Sequence, residues 1–218
     1  MTQVPDTLLA QVRAELSTAQ LGDVLDTLGR RHQFLPPEIR STAPGTTLVG
    51  RAMPLLEIAA TPDDHSFGLM FEALDSLGKD EVYVAAAGAP PFALWGELMT
   101  TRALAQGAAG AVLDGYMRDT REIRAMTLPV FARGSYAQDQ RGRGRVVAYR
   151  EPVRIAEVAV RPGDLIVGDD DGVLVVPGDV AAECVEKALE KRRIENLIAQ
   201  EIEAGLTTTE AWEKYGVM

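Results

Sequence analysis

Glu97, Arg118 and Asp119 are the residues of this sequence on which chemistry could be built. Arg118 can grip a carboxylate through two parallel hydrogen bonds, because a guanidinium is a planar fork of donors. Asp119, and Glu97 directly or through a bound water, offer the hard oxygen atoms that Mg²⁺ or Mn²⁺ prefers. Gly96-Glu97-Leu98-Met99 opens an expected helix, whose free backbone N–H groups on Leu98 and Met99 can hold an anion. A pocket with these parts suits a small anionic substrate bound with a divalent metal. A metal touching a carbonyl oxygen acts as a Lewis acid and stabilises an enolate, which makes carbon–carbon cleavage beside a keto acid feasible.

Composition narrows the alternatives. The only lysines are Lys79, Lys187, Lys191 and Lys214, and none falls in an expected strand, so a Schiff-base aldolase lacks its desolvated amine. His32 and His65 are the only histidines and Cys184 the only cysteine, too few for a zinc site built on such ligands. The lone thiol cannot form an internal bridge, and a reducing, cytoplasmic setting is expected. The formal net charge of −10 disfavours nucleic acid as a partner. There is no apolar run long enough for a membrane span and no signal-peptide pattern at the N-terminus.

Ordinary structural accounts exist for the same residues. Asp119 can simply cap a short helix, Arg118 can form a surface ion pair, and Glu97 suits the dipole of a first helical turn. Asp114-Gly115 can be only a turn. Asp169-Asp170-Asp171-Gly172 lacks calcium-loop spacing and reads as a hairpin turn. Arg141-Gly142-Arg143-Gly144 reads as a basic surface loop, and His65 as a capping or solvent-facing group at a helix entry over Thr61 to Asp64.

The elements that must position these residues follow from periodicity. Residues 5–29 read as two helices, with Ser17 or Thr18 capping the second. Thr46 to Ala60 has strand character interrupted at Gly50 and Pro54. From Glu81 the chain alternates: a buried strand Glu81 to Ala86, a loop Ala87 to Glu97, a helix Trp95 to Gln106, a strand Ala111 to Leu113, a short helix Asp119 to Ala125 and a strand Pro129 to Ala132. After residue 140 come strands alone, Arg145 to Tyr149, Val153 to Val160, Asp164 to Gly168 and Val173 to Val176. A long helix from about Gly178 to Ala204 follows, with Ala181, Cys184, Ala188, Ile194, Ile198 and Ile202 near one stripe. This predicts one α/β domain over residues 1–218, with a mixed sheet and terminal helices. In such sheets ligands collect where strand ends and helix N-termini converge, which is where Glu97, Arg118 and Asp119 fall.

Gly96-Glu97-Leu98, Gly107-Ala-Ala-Gly110, Val112-Leu-Asp114-Gly115-Tyr-Met-Arg118-Asp119 and Leu128-Pro-Val-Phe131-Ala-Arg133-Gly134 together resemble the family that unites 4-hydroxy-4-methyl-2-oxoglutarate (HMG) aldolases with the regulator of ribonuclease activity A. Supporting similarity runs through Leu21 to Asp26, Pro162-Gly163-Asp164, Asp169 to Val176 and the C-terminal tail, so it covers nearly the whole chain. The resemblance implies an αββα sandwich with a swivelling β/β/α core, assembled as a homotrimer or a pair of trimers. It implies that Asp119 anchors Mg²⁺ or Mn²⁺, that Arg118 contacts the pyruvate moiety, that Glu97 helps hold the metal through water, and that the Leu98 and Met99 amides bind the substrate carboxylate. A carboxylate from the C-terminal region of a neighbouring subunit completes the aldolase pocket, for which Glu195 is the candidate. Substrates of this class are 2-oxo acids, either 4-hydroxy-2-oxo diacids cleaved to pyruvate or oxaloacetate decarboxylated to it. The competing expectation is a non-enzymatic regulator that docks on ribonuclease E through an acidic surface.

Overall fold

Strands that are apolar at nearly every position, such as Glu81–Ala86 (EVYVAA), have to be covered on both faces. In the computed structural model, which describes residues 4–61 and 66–216, they are. The chain opens with α1 (Asp6–Glu15) and α2 (Thr18–Thr27), followed by β1 (Arg40–Ser41), β2 (Leu48–Ala59), α3 (Met70–Asp75) and β3 (Glu81–Ala86). Next come β4 (Ala93–Trp95), α4 (Glu97–Ala105), β5 (Gly110–Met117), α5 (Thr120–Ala125) and β6 (Val130–Ser135). The strand-only section is β7 (Gly144–Tyr149), β8 (Val153–Ile155), β9 (Val158–Val160), β10 (Leu165–Asp169) and β11 (Gly172–Val176), and the chain closes with α6 (Ala181–Glu203) and α7 (Thr208–Tyr215).

The main sheet is mixed, in the order β1-β6-β5-β3-β2-β10-β11, with β4 added beside β5 and β7 beside β2. Strands β2, β3, β5 and β6 run parallel, joined by helical crossovers, whereas β10 and β11 are antiparallel additions. The path curls until its edges nearly meet: Arg40 on β1 donates from Nη1 to the carbonyl of Asp170 in the β10–β11 turn at 3.1 Å.

Period-2 alternation sorts the side chains into layers. Tyr83, Ala85, Ala111 and Leu113 face α3 and α4, while Leu165, Val167, Leu174 and Val176 face α1, α2 and α6. The residues between them, Val82, Val84, Val112, Ile166, Val173 and Val175, point into the curl, which the β8–β9 hairpin fills with Ile155, Val158 and Val160. This is the mixed α/β sandwich with terminal helices that the sequence predicts.

Several boundaries differ. Strand β2 runs unbroken through Gly50 and Pro54; a Cβ at Gly50 would lie 2.7 Å from the Asp80 carbonyl oxygen and from the Ala109 methyl, so glycine there serves close packing. The expected loop 87–97 contains β4, which pairs with β5. Asp114 and Gly115 lie inside β5 rather than in a turn. The expected single strand Val153 to Val160 is a hairpin, folded back at Ala156 with φ 50°. Ser17 caps α2 in a reciprocal box with Gln20, leaving Thr18 to bond Asp169. Ile194 is 37% exposed and does not share the buried stripe of Ala181, Cys184, Ala188 and Ile198. The helix entry at Pro62 to Asp64, and His65, lie outside the described residues.

Candidate active site

Strands β4 and β5 end side by side. Trp95 pairs with Met117, and the Arg118 N–H donates to the Trp95 carbonyl at 2.9 Å. Parallel pairing therefore delivers Gly96-Glu97 and Arg118-Asp119 to one place, at the carboxyl ends of two adjacent strands. Asp119 takes the left-handed conformation, φ 56° and ψ 37°, which aspartate tolerates better than most residues. It occupies the position that opens α5, yet its side chain makes no capping bond to that helix. Instead, Asp119 Oδ2 accepts from the backbone N–H of Glu97 at 3.0 Å. The carboxylate is thus held by the positive end of α4, a favourable electrostatic setting. Gly96 makes the approach possible, because a Cβ there would sit 2.8 Å from Asp119 Oδ2.

Arg118 stands between two carboxylates. Its Nε lies 3.8 Å from Asp119 Oδ2 and its Nη1 lies 3.4 Å from Asp139 Oδ1. These separations are longer than good hydrogen bonds, so the fork keeps donors for a ligand. All three side chains are between 38% and 40% exposed, open to solvent in the single chain. Asp139 is the residue that sequence reasoning missed. It sits on the β6–β7 connection, docked onto β4 through the Ala93 N–H to Gln138 carbonyl bond of 2.8 Å and the Ala93–Asp139 bridge.

The first turn of α4 supplies the expected anion donors. Gly96 brings no side-chain cap of its own to this helix, and with the Glu97 N–H given to Asp119 the N–H groups of Leu98 and Met99 have no intrahelical acceptor. Leu98 projects into solvent at 82% exposure, and Met99 packs partly against the core. Among the described residues no cluster of three or more Asp, Glu, His or Cys is arranged around a common point. The Asp119 carboxylate, fixed at this point by the Glu97 N–H, is a hard oxygen donor of the kind that holds Mg²⁺ or Mn²⁺ with water in most of the other positions.

Glu195 is elsewhere. On α6 it accepts from Gln20 Nε2 at 3.1 Å and pairs with Lys191 at 3.3 Å, and none of its described contacts reaches Glu97, Arg118 or Asp119. Asp114, which is buried, and Arg133, which is partly exposed, form an ion pair: Arg133 Nε donates to Asp114 Oδ1 at 2.8 Å, and Asp114 Oδ2 accepts from the Gly88 N–H at 2.9 Å. That pair ties the loop before β4 to strands β5 and β6. Asp169 to Gly172 is a hairpin turn, with Asp169 Oδ1 bonded to Thr18 and to the Asp171 N–H. Burial pushes the Cys184 thiol up to about 12, which removes it as a nucleophile at neutral pH.

The sequence model of the family described as "RraA-like: Aldolase/RraA" matches residues 18–175. Protein DlpA of Legionella pneumophila is 32% identical over 210 residues; the match covers 95% of this chain but 34% of that protein, so the chain spans about a third of its length. A protein of Halalkalibacterium halodurans, provisionally named as a 4-hydroxy-4-methyl-2-oxoglutarate aldolase, is 31% identical over 194 residues, covering 88% of this chain and 87% of the relative. Among solved structures, Streptomyces coelicolor RraAS2, described as an unusual member of the RNase ES inhibitor RraA protein family, superposes with a TM-score of 0.81 at 26% identity, covering 90% of this chain and 98% of that one.

Proposed function

The chain belongs to the RraA-like (Aldolase/RraA) family, and from that premise we propose that it is a divalent-metal-dependent carbon–carbon lyase acting on small 2-oxo acids. Its reactions are retro-aldol cleavage of a 4-hydroxy-2-oxo diacid to pyruvate, and decarboxylation of oxaloacetate through the same pyruvate enolate. The observation that carries this reading is the bond from the Glu97 N–H to Asp119, with Arg118 alongside. It puts a carboxylate, a helix N-terminus with two further free N–H groups and a guanidinium with donors to spare side by side.

In this reading Arg118 and the Leu98 and Met99 amides bind the substrate carboxylate and fix its direction. Asp119 and Glu97 hold Mg²⁺ or Mn²⁺, which when bound supplies Lewis-acid polarisation of the 2-oxo group. Arg118 also keeps positive charge beside the enolate as it develops, the kind of preorganised electrostatics that stabilises a transition state. Asp139 sets the guanidinium from its far side. The family resemblance implies a homotrimer or hexamer and goes with a cytoplasmic setting, and since the site is open in one copy of the chain we take Glu195 of a neighbouring copy as the candidate that completes the pocket. Pyruvate release from oxaloacetate and from 4-hydroxy-4-methyl-2-oxoglutarate, followed with Mg²⁺, with Mn²⁺ and with chelator, tests it. Activity that needs a metal is expected, and a protein inert toward both substrates with either metal overturns the reading.

The net charge of −10 and the likeness to RraAS2 favour a second reading, a regulator that docks on ribonuclease E. Co-precipitation with purified ribonuclease E beside the pyruvate assay separates the two.

A further inference from the structure

Arginines gather at the opposite end of the sheet from Arg118. There a cavity of about 900 Å³, a volume typical of small-molecule sites, opens where β2 and β3 begin, at Arg51 and Glu81. Four arginines line it, Arg30, Arg51, Arg150 and Arg161, with the acids Glu81, Asp164 and Asp179, and Asp6 pairs with Arg51, so the formal charges balance and what the cavity offers an anion is the set of donors left unpaired.

The arginines do different jobs. Arg51 is buried and spent on the Val4 carbonyl and the Asp6 carboxylate. Arg150 is spent on a two-pronged pair with Glu81, 2.7 Å on each prong. Arg30 uses only Nη2, on Asp179 at 2.8 Å, in a pair exposed on both sides. Arg161 donates no side-chain hydrogen bond among the described residues, although its charge is felt by Asp164. Two of the four guanidinium groups therefore build the wall, and two keep most of their donors.

A second set of donors meets them. Helix α6 is 23 residues long, begins in the same cavity at Ala181 and Ala182, and has no side-chain cap. The N–H groups of its first turn have no intrahelical acceptor, and the helix dipole favours an anion beside them. Asp164 does not fill that role, because its two oxygens are engaged by the Arg161 and Gly178 N–H groups. Val4, Pro5, Leu8, Ala52 and Pro162 supply an apolar side to the same space.

We propose that this cavity is a binding site for a small, multiply charged anion, taken by Arg161, Arg30 and the N-terminus of α6, with Val4 and Leu8 covering its less polar part. Phosphate esters and di- or tricarboxylates share the chemistry that these donors recognise. The site is separate from Arg118 and Asp119, so it is a place for a regulatory ligand and not for the reacting substrate.

The full chain, titrated calorimetrically at fixed ionic strength with pyrophosphate in one arm and citrate in the other, distinguishes the two sources. Saturable binding of either anion is expected, weakened about tenfold or more in Arg161→Ala and in Arg30→Ala and unchanged in Arg118→Ala. Thermal melts of the variants at the same ionic strength show that these surface changes leave the fold intact. No saturation by either anion up to roughly 10 mM, a weak millimolar range, overturns the proposal. So does binding that is lost in Arg118→Ala and retained in Arg161→Ala, since it would belong to the other end of the sheet.

Discussion

The carboxylate of Asp119 is held by the backbone N–H of Glu97, 22 residues earlier in the chain, at 3.0 Å. Two features of the sequence make that contact possible. Gly96 leaves the space that any side chain would fill, and Asp119 accepts the left-handed backbone that turns its carboxylate away from α5 and toward α4. The Asp-first helix start and the glycine before Glu97 thus have one cause.

Gly96→Ala tests the space. The residue has ordinary extended φ, so alanine brings no backbone strain, but its methyl would lie 2.8 Å from Asp119 Oδ2 and the carboxylate must shift. Misplacing a group by about 1 Å costs on the order of 10²-fold in rate. Pyruvate release from oxaloacetate should fall by that order while the thermal midpoint barely moves; a variant with full activity would separate the Asp119–Glu97 contact from catalysis.

Asp119→Asn and Asp119→Ala should differ in stability and agree in activity. Asparagine tolerates left-handed backbone as aspartate does, whereas alanine there costs about 1 kcal/mol or more. Both remove the negative charge, so both should lose metal-dependent turnover. The checks are a melt for each variant and a Mn²⁺ titration of pyruvate release; retained metal-dependent activity in either would remove Asp119 as a ligand.

Arg133→Ala leaves the Asp114 carboxylate, 7% exposed, without its ion partner. Breaking one side of a buried pair costs about 3–5 kcal/mol, here toward the lower figure because Arg133 is 21% exposed and the Gly88 N–H still serves Asp114. The urea midpoint should drop accordingly. The double variant Arg133→Ala/Asp114→Asn should be destabilised by less than the sum of the single changes, because the two residues interact directly.

The α/β alternation was legible because strands buried on both faces are apolar nearly throughout, as in Glu81–Ala86, and because Gly107 and Gly205 close their helices. Arg118 and Asp119 were legible as a pair adjacent in sequence. Asp139 was not: its place beside Arg118 depends on the β6–β7 connection docking against β4, a three-residue strand too short to leave a periodic signal. Glu57 was hidden differently. Between Leu56 and Ile58 it looks like the outward member of an alternating strand, but the parity set by Met53 and Leu55 carries it inward and leaves Leu56 and Ile58 about 40% exposed.

That inward turn gives Glu57 a measurable signature. Among the described residues neither carboxyl oxygen has a hydrogen-bond partner, and burial pushes its pKa up to about 8. Unfolding returns it to the ordinary carboxylate range near 4.5. Between those values the folded chain holds a proton that the unfolded chain releases, so stability is fully present below about 4.5, falls as pH rises toward about 8, and levels off above. At about 1.4 kcal/mol for each pH step of one across that window, the loss is on the order of 5 kcal/mol. Asp164, also raised by burial, adds a change of the same sign. Asp6, Glu81, Glu201 and Glu210 have lowered values, and their contributions are lost only in more acidic solution. Glu57→Gln keeps the shape and cannot ionise. Its unfolding free energy should be nearly flat from pH 5 to pH 8 apart from the Asp164 share, so its difference from the parent chain should shift in its favour by about 3–4 kcal/mol over that range. Urea unfolding of both proteins at several pH values decides it, and parallel pH profiles would mean that Glu57 is ionised inside the folded chain.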